Sequence, residues 1–142
     1  MSSTGRRAAT AQDLTRLRGV SDPQISPDGR RVAFVVTMAS EERDEYLSNI
    51  WVVAADGGEP RRFTTGLMRD THPRWSPDGR WLAFASDRGP KKKSQLYVMP
   101  VDGGEAIQLT DLANGVYGQL GIAWSPDSAR LAFVARVGGN TG

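Results

Sequence analysis

Ser76-Pro-Asp-Gly-Arg-Trp-Leu-Ala-Phe84 decides the fold, because the chain writes it three times. It appears first as Ser26-Pro-Asp-Gly-Arg-Arg-Val-Ala-Phe34 and last as Ser125-Pro-Asp-Ser-Ala-Arg-Leu-Ala-Phe133. The intervals between Pro27, Pro77 and Pro126 are 50 and 49 residues. A second phrase alternates with the first. Asn49-Ile-Trp-Val-Val-Ala-Ala-Asp-Gly-Gly-Glu59, closing on Phe63-Thr64, matches Gln95-Leu-Tyr-Val-Met-Pro-Val-Asp-Gly-Gly-Glu105, closing on Leu109-Thr110. Two phrases in alternating register are the signature of a structural repeat.

The local chemistry of each phrase is that of antiparallel strands. In Ser-Pro-Asp-Gly, proline presets the backbone at the second turn position and glycine accepts the positive φ that leaves it. The Arg-Val-Ala-Phe-Val-Val that follows carries apolar residues on both alternating faces, so it predicts a strand buried on both sides. Asn49 to Ala55 predicts a second strand, with Asp56-Gly57 or Asp102-Gly103 as a two-residue hairpin. The segments closing on Thr64 or Thr110 supply a return strand, and those closing on Ile25, Trp75 or Trp124 supply a fourth. Four short strands in just under fifty residues make one blade of a β-propeller.

The fold class is therefore all-β: a partial propeller of about two and a half four-stranded blades behind a leader helix. Blades are expected near 20–64, 69–110 and 116–142, the last cut short, because propeller closure takes about four blades or more. Unpaired edges at the last blade make self-association of the lone chain an expectation. Ser128 departs from the pattern, standing where Gly29 and Gly79 stand. That turn must be strained, by about 1 kcal/mol for a non-glycine residue at positive φ, or of another type. Ahead of the repeats, Thr10-Ala-Gln-Asp13 with Leu14, Leu17 and Val20 predicts a leader helix over 10–19, and residues 1–9 are expected to be disordered.

Composition removes several functions. Glycine and proline number 16 and 8 of 142 residues, a density that favours many short strands over a helical bundle. With 18 basic and 16 acidic residues interspersed, no clustered excess charge points to nucleic acid or a membrane surface. No cysteine is present, so disulfides and cysteine-held metals are absent from this sequence. The longest apolar runs, such as Val32 to Val36, are too short for a transmembrane helix. Residues 1–19 hold no apolar stretch of the kind a secretory signal needs, and a cytoplasmic location is the expectation.

The phrases SPDGRWLAFASDRG and QLYVMPVDGGEAIQLT resemble the repeat of TolB-type, WD40-like propellers. The leader DLTRLRGVSDPQISPDGRRVAFVV more particularly resembles the start of serine peptidases of the prolyl oligopeptidase clan, in their acylaminoacyl-peptidase and dipeptidyl-peptidase-like branch. The resemblance covers residues 11 to 136. It implies a propeller of about seven blades that gates peptide access to a C-terminal α/β-hydrolase domain in the same protein. That domain would carry a Gly-x-Ser-x-Gly elbow, an aspartate and a histidine. No Gly-x-Ser-x-Gly occurs in these 142 residues, so no catalytic residue carries over and the chain alone is expected to be inactive. The other reading is a non-enzymatic TolB-like propeller that binds a protein partner.

The remaining candidates read as structure. His72, in Asp70-Thr-His-Pro73, is the only histidine and has no second histidine or cysteine to complete a metal or acid–base site. It is expected to cap or line the inner strand of the second blade. Asp28, Asp78 and Asp127 recur as turn formers, one per turn, where a calcium loop needs several ligands. Ile25, Trp75 and Trp124 are expected to pack between blades. Lys91-Lys-Lys93 reads as a solvated loop, or as a rim contact with an acidic partner or with the hydrolase domain. Arg30-Arg31 and Arg61-Arg62 are read as serving solubility. No cofactor, metal or catalytic residue is assigned.

Overall fold

The computed structural model describes residues 17–40, 42 and 44–136. Its described residues form antiparallel strands and one short 3-10 turn, Gly118–Leu120. β1 (Leu17–Ile25), β2 (Arg31–Ser40), β3 (Glu45–Ala54) and β4 (Arg61–Arg62) make the first sheet, in that spatial order. β5 (Asp70–Trp75), β6 (Trp81–Ser86), β7 (Gln95–Pro100) and β8 (Ile107–Gln108) repeat the meander. β9 (Ile122–Trp124) and β10 (Leu131–Phe133) pair in the third copy. Residues 1–16 and 137–142 lie outside the described set, and with them the expected disorder of 1–9 and most of the expected leader helix.

The part of that helix that can be seen is strand. Leu17 and Gly19 open β1, and Gly19, Val20 and Ser21 pair with Thr37, Val36 and Val35 of β2. Three apolar residues at helical spacing are a weak nucleus. The long β2 offers a ladder of backbone partners instead, and Val20 remains 60% exposed, so no apolar helical face forms there.

The Ser-Pro-Asp turn is made alike in all three copies. Ser26 Oγ donates to Asp28 Oδ1 (2.6 Å), while Asp28 Oδ1 accepts the Arg30 N–H (3.0 Å) and Ser26 Oγ the Arg31 N–H (3.0 Å). Asp78 and Asp127 repeat the set with Ser76 and Ser125. Gly29 and Gly79 hold φ of 73° and 75°, and Ser128 holds 62°. The third turn is thus of the same type and strained. Its serine gains something glycine could not: Ser128 Oγ accepts the Asp78 N–H (3.0 Å), tying the turns of neighbouring blades.

The Asp-Gly-Gly phrases do not make two-residue hairpins. Gly57 N–H donates to Ala54 O and Gly103 N–H to Pro100 O (3.0 Å each), each closing a turn centred one residue earlier than expected. Two successive glycines at positive φ, Gly57 and Gly58 or Gly103 and Gly104, then carry the chain away from the ladder. The loops 55–60 and 101–106 result, and the return strands are only two residues long.

Packing is between sheets. On one face of β6, Leu82 and Phe84 join Ala33, Ile50, Trp75 and Tyr97 in a core shared by the first two sheets. On the other, Ala83 and Ala85 join Leu96, Val98, Val116 and Ile122 against the third copy. β6 is therefore buried on both sides, as its sequence predicts. β2 is not: Ala33 and Val35 are buried, but Val32, Phe34 and Val36 stay half-exposed among the described residues.

The tryptophans bind sheet to sheet by a repeated hydrogen bond. Trp75 Nε1 donates to Gln24 O (2.8 Å) and Trp124 Nε1 to Arg74 O (2.9 Å). Ile25, at the equivalent place, is 63% exposed and joins neither apolar cluster, unlike the packing between blades expected of it. We expect Trp75→Phe to lose about 1 kcal/mol of stability through that bond, and Trp75→Ala about 3–5 kcal/mol through lost packing. At the third turn, Ser128→Gly trades the hydrogen bond against relief of strain and should leave stability within about 0.5 kcal/mol, whereas Ser128→Ala keeps the strain and should cost about 1 kcal/mol. Denaturant unfolding of the full-length product checks both orders.

Candidate functional site

β1, β5 and β9 each open their meander, with one edge unpaired within their own sheet, and β5 touches both β1 and β9. The first strands therefore run side by side, while the later strands of each sheet spread away from them. Three residues before Ile25, Trp75 and Trp124 stands a residue at positive φ, Asp22 (52°) in β1, His72 (60°) in β5 and Gly121 (121°) just ahead of β9. The β1–β2 register slips between Ser21 and Gln24 and the β5–β6 register between Thr71 and Arg74, so the left-handed residue marks a β-bulge. Pro23 and Pro73, which have no N–H to give to a ladder, follow it.

These bulges gather the charged groups of the inner wall. Asp22 Oδ2 accepts Arg74 Nη1 (2.8 Å) and its Oδ1 accepts Gln24 Nε2 (2.9 Å). Both members of the ion pair are about three-quarters buried, so β1 and β5 are laced by charge as well as by the Trp75 indole. His72 sits against this pair. Its Nδ1 is buried and has no hydrogen-bond partner among the described residues. The 3-10 turn closes over it so tightly that a Cβ on Gly118 would lie 2.8 Å from Nδ1. Burial pushes the His72 pKa below its usual 6.5; Asp22 opposes that shift and Arg74 adds to it. His72 thus lines the inner strand of the second blade, as expected. Among the described residues no group of three histidine, cysteine or acidic side chains gathers to hold a metal ion.

A second cluster was not foreseen. Asp70, at the start of β5, is fully buried, and its Oδ2 accepts Arg88 Nη2 (2.8 Å) and Asn49 Nδ2 (3.2 Å). Its Oδ1 has no partner among the described residues. Arg88 also donates from Nε to Ser86 Oγ (3.0 Å), and its guanidinium carbon lies 5.5 Å and 5.8 Å from the ring centroids of Phe84 and Tyr97. The same burial raises the Tyr97 hydroxyl's pKa. Nearby, Arg69 clasps Glu45 of the first sheet and Asp87 of the second. Neither Asp70 nor Arg88 recurs in the other copies, so a reading built on recurring residues passes over both. The usable signal was a carboxylate and a guanidinium at two strand ends that pair in the meander.

The recurring aspartates are turn formers, each held below the usual carboxylate range by its serine hydroxyl and then by the backbone N–H two residues on. Lys91-Lys-Lys93 forms the exposed loop between β6 and β7, where Lys91 Nζ lies 3.2 Å from both the carbonyl oxygen and Oδ1 of Asp111.

The chain belongs to the TolB beta propeller domain family, whose model matches residues 3–142. It is 44% identical over 133 residues to the protein of Bacillus subtilis (strain 168) named uncharacterized peptidase YuxL, an alignment that takes in 94% of this chain and 20% of that protein. Among solved structures it is similar to TolB from Acinetobacter baumannii, with TM-score 0.67 and 27% identity over 83% of this chain and 27% of the other. It is likewise similar to Pyrococcus horikoshii acylaminoacyl peptidase, with TM-score 0.61 and 28% identity over 79% of this chain and 16% of that one. The chain therefore spans about a fifth of the length of the curated relative YuxL.

His72 gives a direct check of the inner wall. Its folded pKa lies below 6.5, so the unfolded chain binds the proton more readily. Stability from this site is complete above pH 6.5 and is lost as pH falls through the folded value. NMR titration should place the His72 midpoint below 6.5, and His72→Gln should flatten the loss of stability between neutral and mildly acidic pH.

Proposed function

We propose that these residues are the propeller portion of a serine peptidase of the prolyl oligopeptidase clan, gating the access of peptides to a C-terminal α/β-hydrolase domain in the same protein. The observation that carries this reading is the 44% identity, over nearly the whole chain, to a protein named a peptidase of which the aligned part is only 20%. The likeness to an acylaminoacyl peptidase supports it. In this reading the side-by-side first strands form the wall past which peptides travel, and the Asp22–Arg74 pair with its buried histidine stiffens that wall. The partners are peptide substrates and the hydrolase domain; Lys91-Lys-Lys93, on an exposed loop, is a candidate contact with that domain.

The likeness to TolB favours a second reading, a propeller that binds a protein partner and does no chemistry. One set of assays separates them. The 142-residue chain should leave chromogenic acyl-peptides and dipeptides intact. The product of the whole reading frame should cleave them and lose that activity to a serine-directed fluorophosphonate. Substituting Asp22 and Arg74 together by alanine should raise the length of peptide the whole protein accepts, since the tie between β1 and β5 is cut. Turnover by the 142-residue chain alone would overturn the division of labour, and a whole protein indifferent to the fluorophosphonate would favour the partner-binding reading.

A further inference from the structure

Between the first two sheets lies an open cleft of about 380 Å³ whose walls include Phe63, Thr65, Met99, Glu105 and Ala106, with Arg88 among them. The volume falls in the range of small-ligand sites, roughly 300–1,000 Å³. Arg88 is the cleft's fixed donor. Its Nη2 is held by buried Asp70, its Nε by Ser86, and its plane lies over Phe84 and Tyr97, so the side chain has little freedom left to lose on binding. Its Nη1 makes no hydrogen bond to any described residue and is not among the buried unpaired atoms, so it faces solvent.

The charges select what can bind there. Asp70 offsets the charge of Arg88, and Glu105, exposed at the wall, adds a negative one. A doubly charged anion would be repelled, and a purely apolar solute would leave Nη1 without a partner. A ligand with one carboxylate and one ammonium satisfies both groups. The other walls, Phe63, Met99 and Ala106, are partly buried apolar side chains packed against the shared core.

We propose that this cleft binds a free α-amino acid with an apolar side chain. Its carboxylate meets Arg88 Nη1, its ammonium faces Glu105, and its side chain lies against Phe63, Met99 and Ala106. The inference stands apart from the peptidase reading, because every group it uses belongs to the described blades.

Isothermal titration of the full-length product with L-leucine, L-leucinamide and N-acetyl-L-leucine tests it, in the natural protein and in Glu105→Gln. Leucine should bind with a Kd on the order of 1 mM, and leucinamide, lacking the carboxylate, about tenfold more weakly. Glu105→Gln should weaken leucine about threefold to fivefold and should strengthen N-acetyl-leucine, which it no longer repels. Glu105 is exposed and on a loop, so the variant keeps the fold. Equal binding of leucine and leucinamide, absence of binding, or affinities that ignore Glu105→Gln would each overturn the proposal.

Discussion

A single indole-to-carbonyl hydrogen bond, repeated, holds this arrangement of blades in place. Trp75 reaches back to the Gln24 carbonyl and Trp124 to the Arg74 carbonyl, each crossing from one first strand to the one before it. The acceptor belongs to a strand with an unpaired edge and to a residue just past a bulge, where the ladder has been interrupted. The tryptophan thus meets two needs at once: it fills the space between sheets and gives a backbone oxygen a partner. Because each tie reaches to the preceding copy, the sheets set one another's positions.

The bulge follows from the same requirement. Asp22, His72 and Gly121 occupy one structural position but share no side-chain chemistry; what they share is a positive φ. Glycine takes that conformation easily, and aspartate is tolerated there more than most residues. His72 is held in it by its surroundings, wedged between the Asp22–Arg74 pair and the Gly118 turn. The strain at His72 thus sits on an inner strand, beside an ion pair that is about three-quarters buried. The Asp-Gly-Gly loops are constrained differently: Gly57, Gly58 and Gly103 have open space around them, but their positive φ still favours glycine.

Ser128 illustrates how a departure from a repeat can be compensated at a distance. Alone, serine at a φ of 62° is a defect in the turn. Beside the second blade it is an acceptor for the Asp78 N–H. Comparison of the copies finds the departure but cannot find the partner, which lies 50 residues away and meets it only once the blades stack.

Recurrence made the four-stranded meander, the serine–aspartate turns and the tryptophan packing legible in the sequence, since each rests on local backbone preference or on period-two patterning. At residues 17–20 helical spacing misled, because it says nothing about the ladder that a long neighbouring strand offers. The Asp-Gly-Gly hairpins misled because the turn closes one residue earlier, and the two glycines that follow, both at positive φ, lead the chain off the ladder. Asp70 and Arg88 could not be found by recurrence, since they occur in one blade only and become partners through strand pairing. Local chemistry determined what each copy is: which residues turn, which extend and which face is apolar. Tertiary structure alone decided what the copies do to one another, because the Trp75 and Trp124 ties, the Asp22–Arg74 pair and the bond from Asp78 to Ser128 join groups 50 to 52 residues apart that meet only when the blades stack.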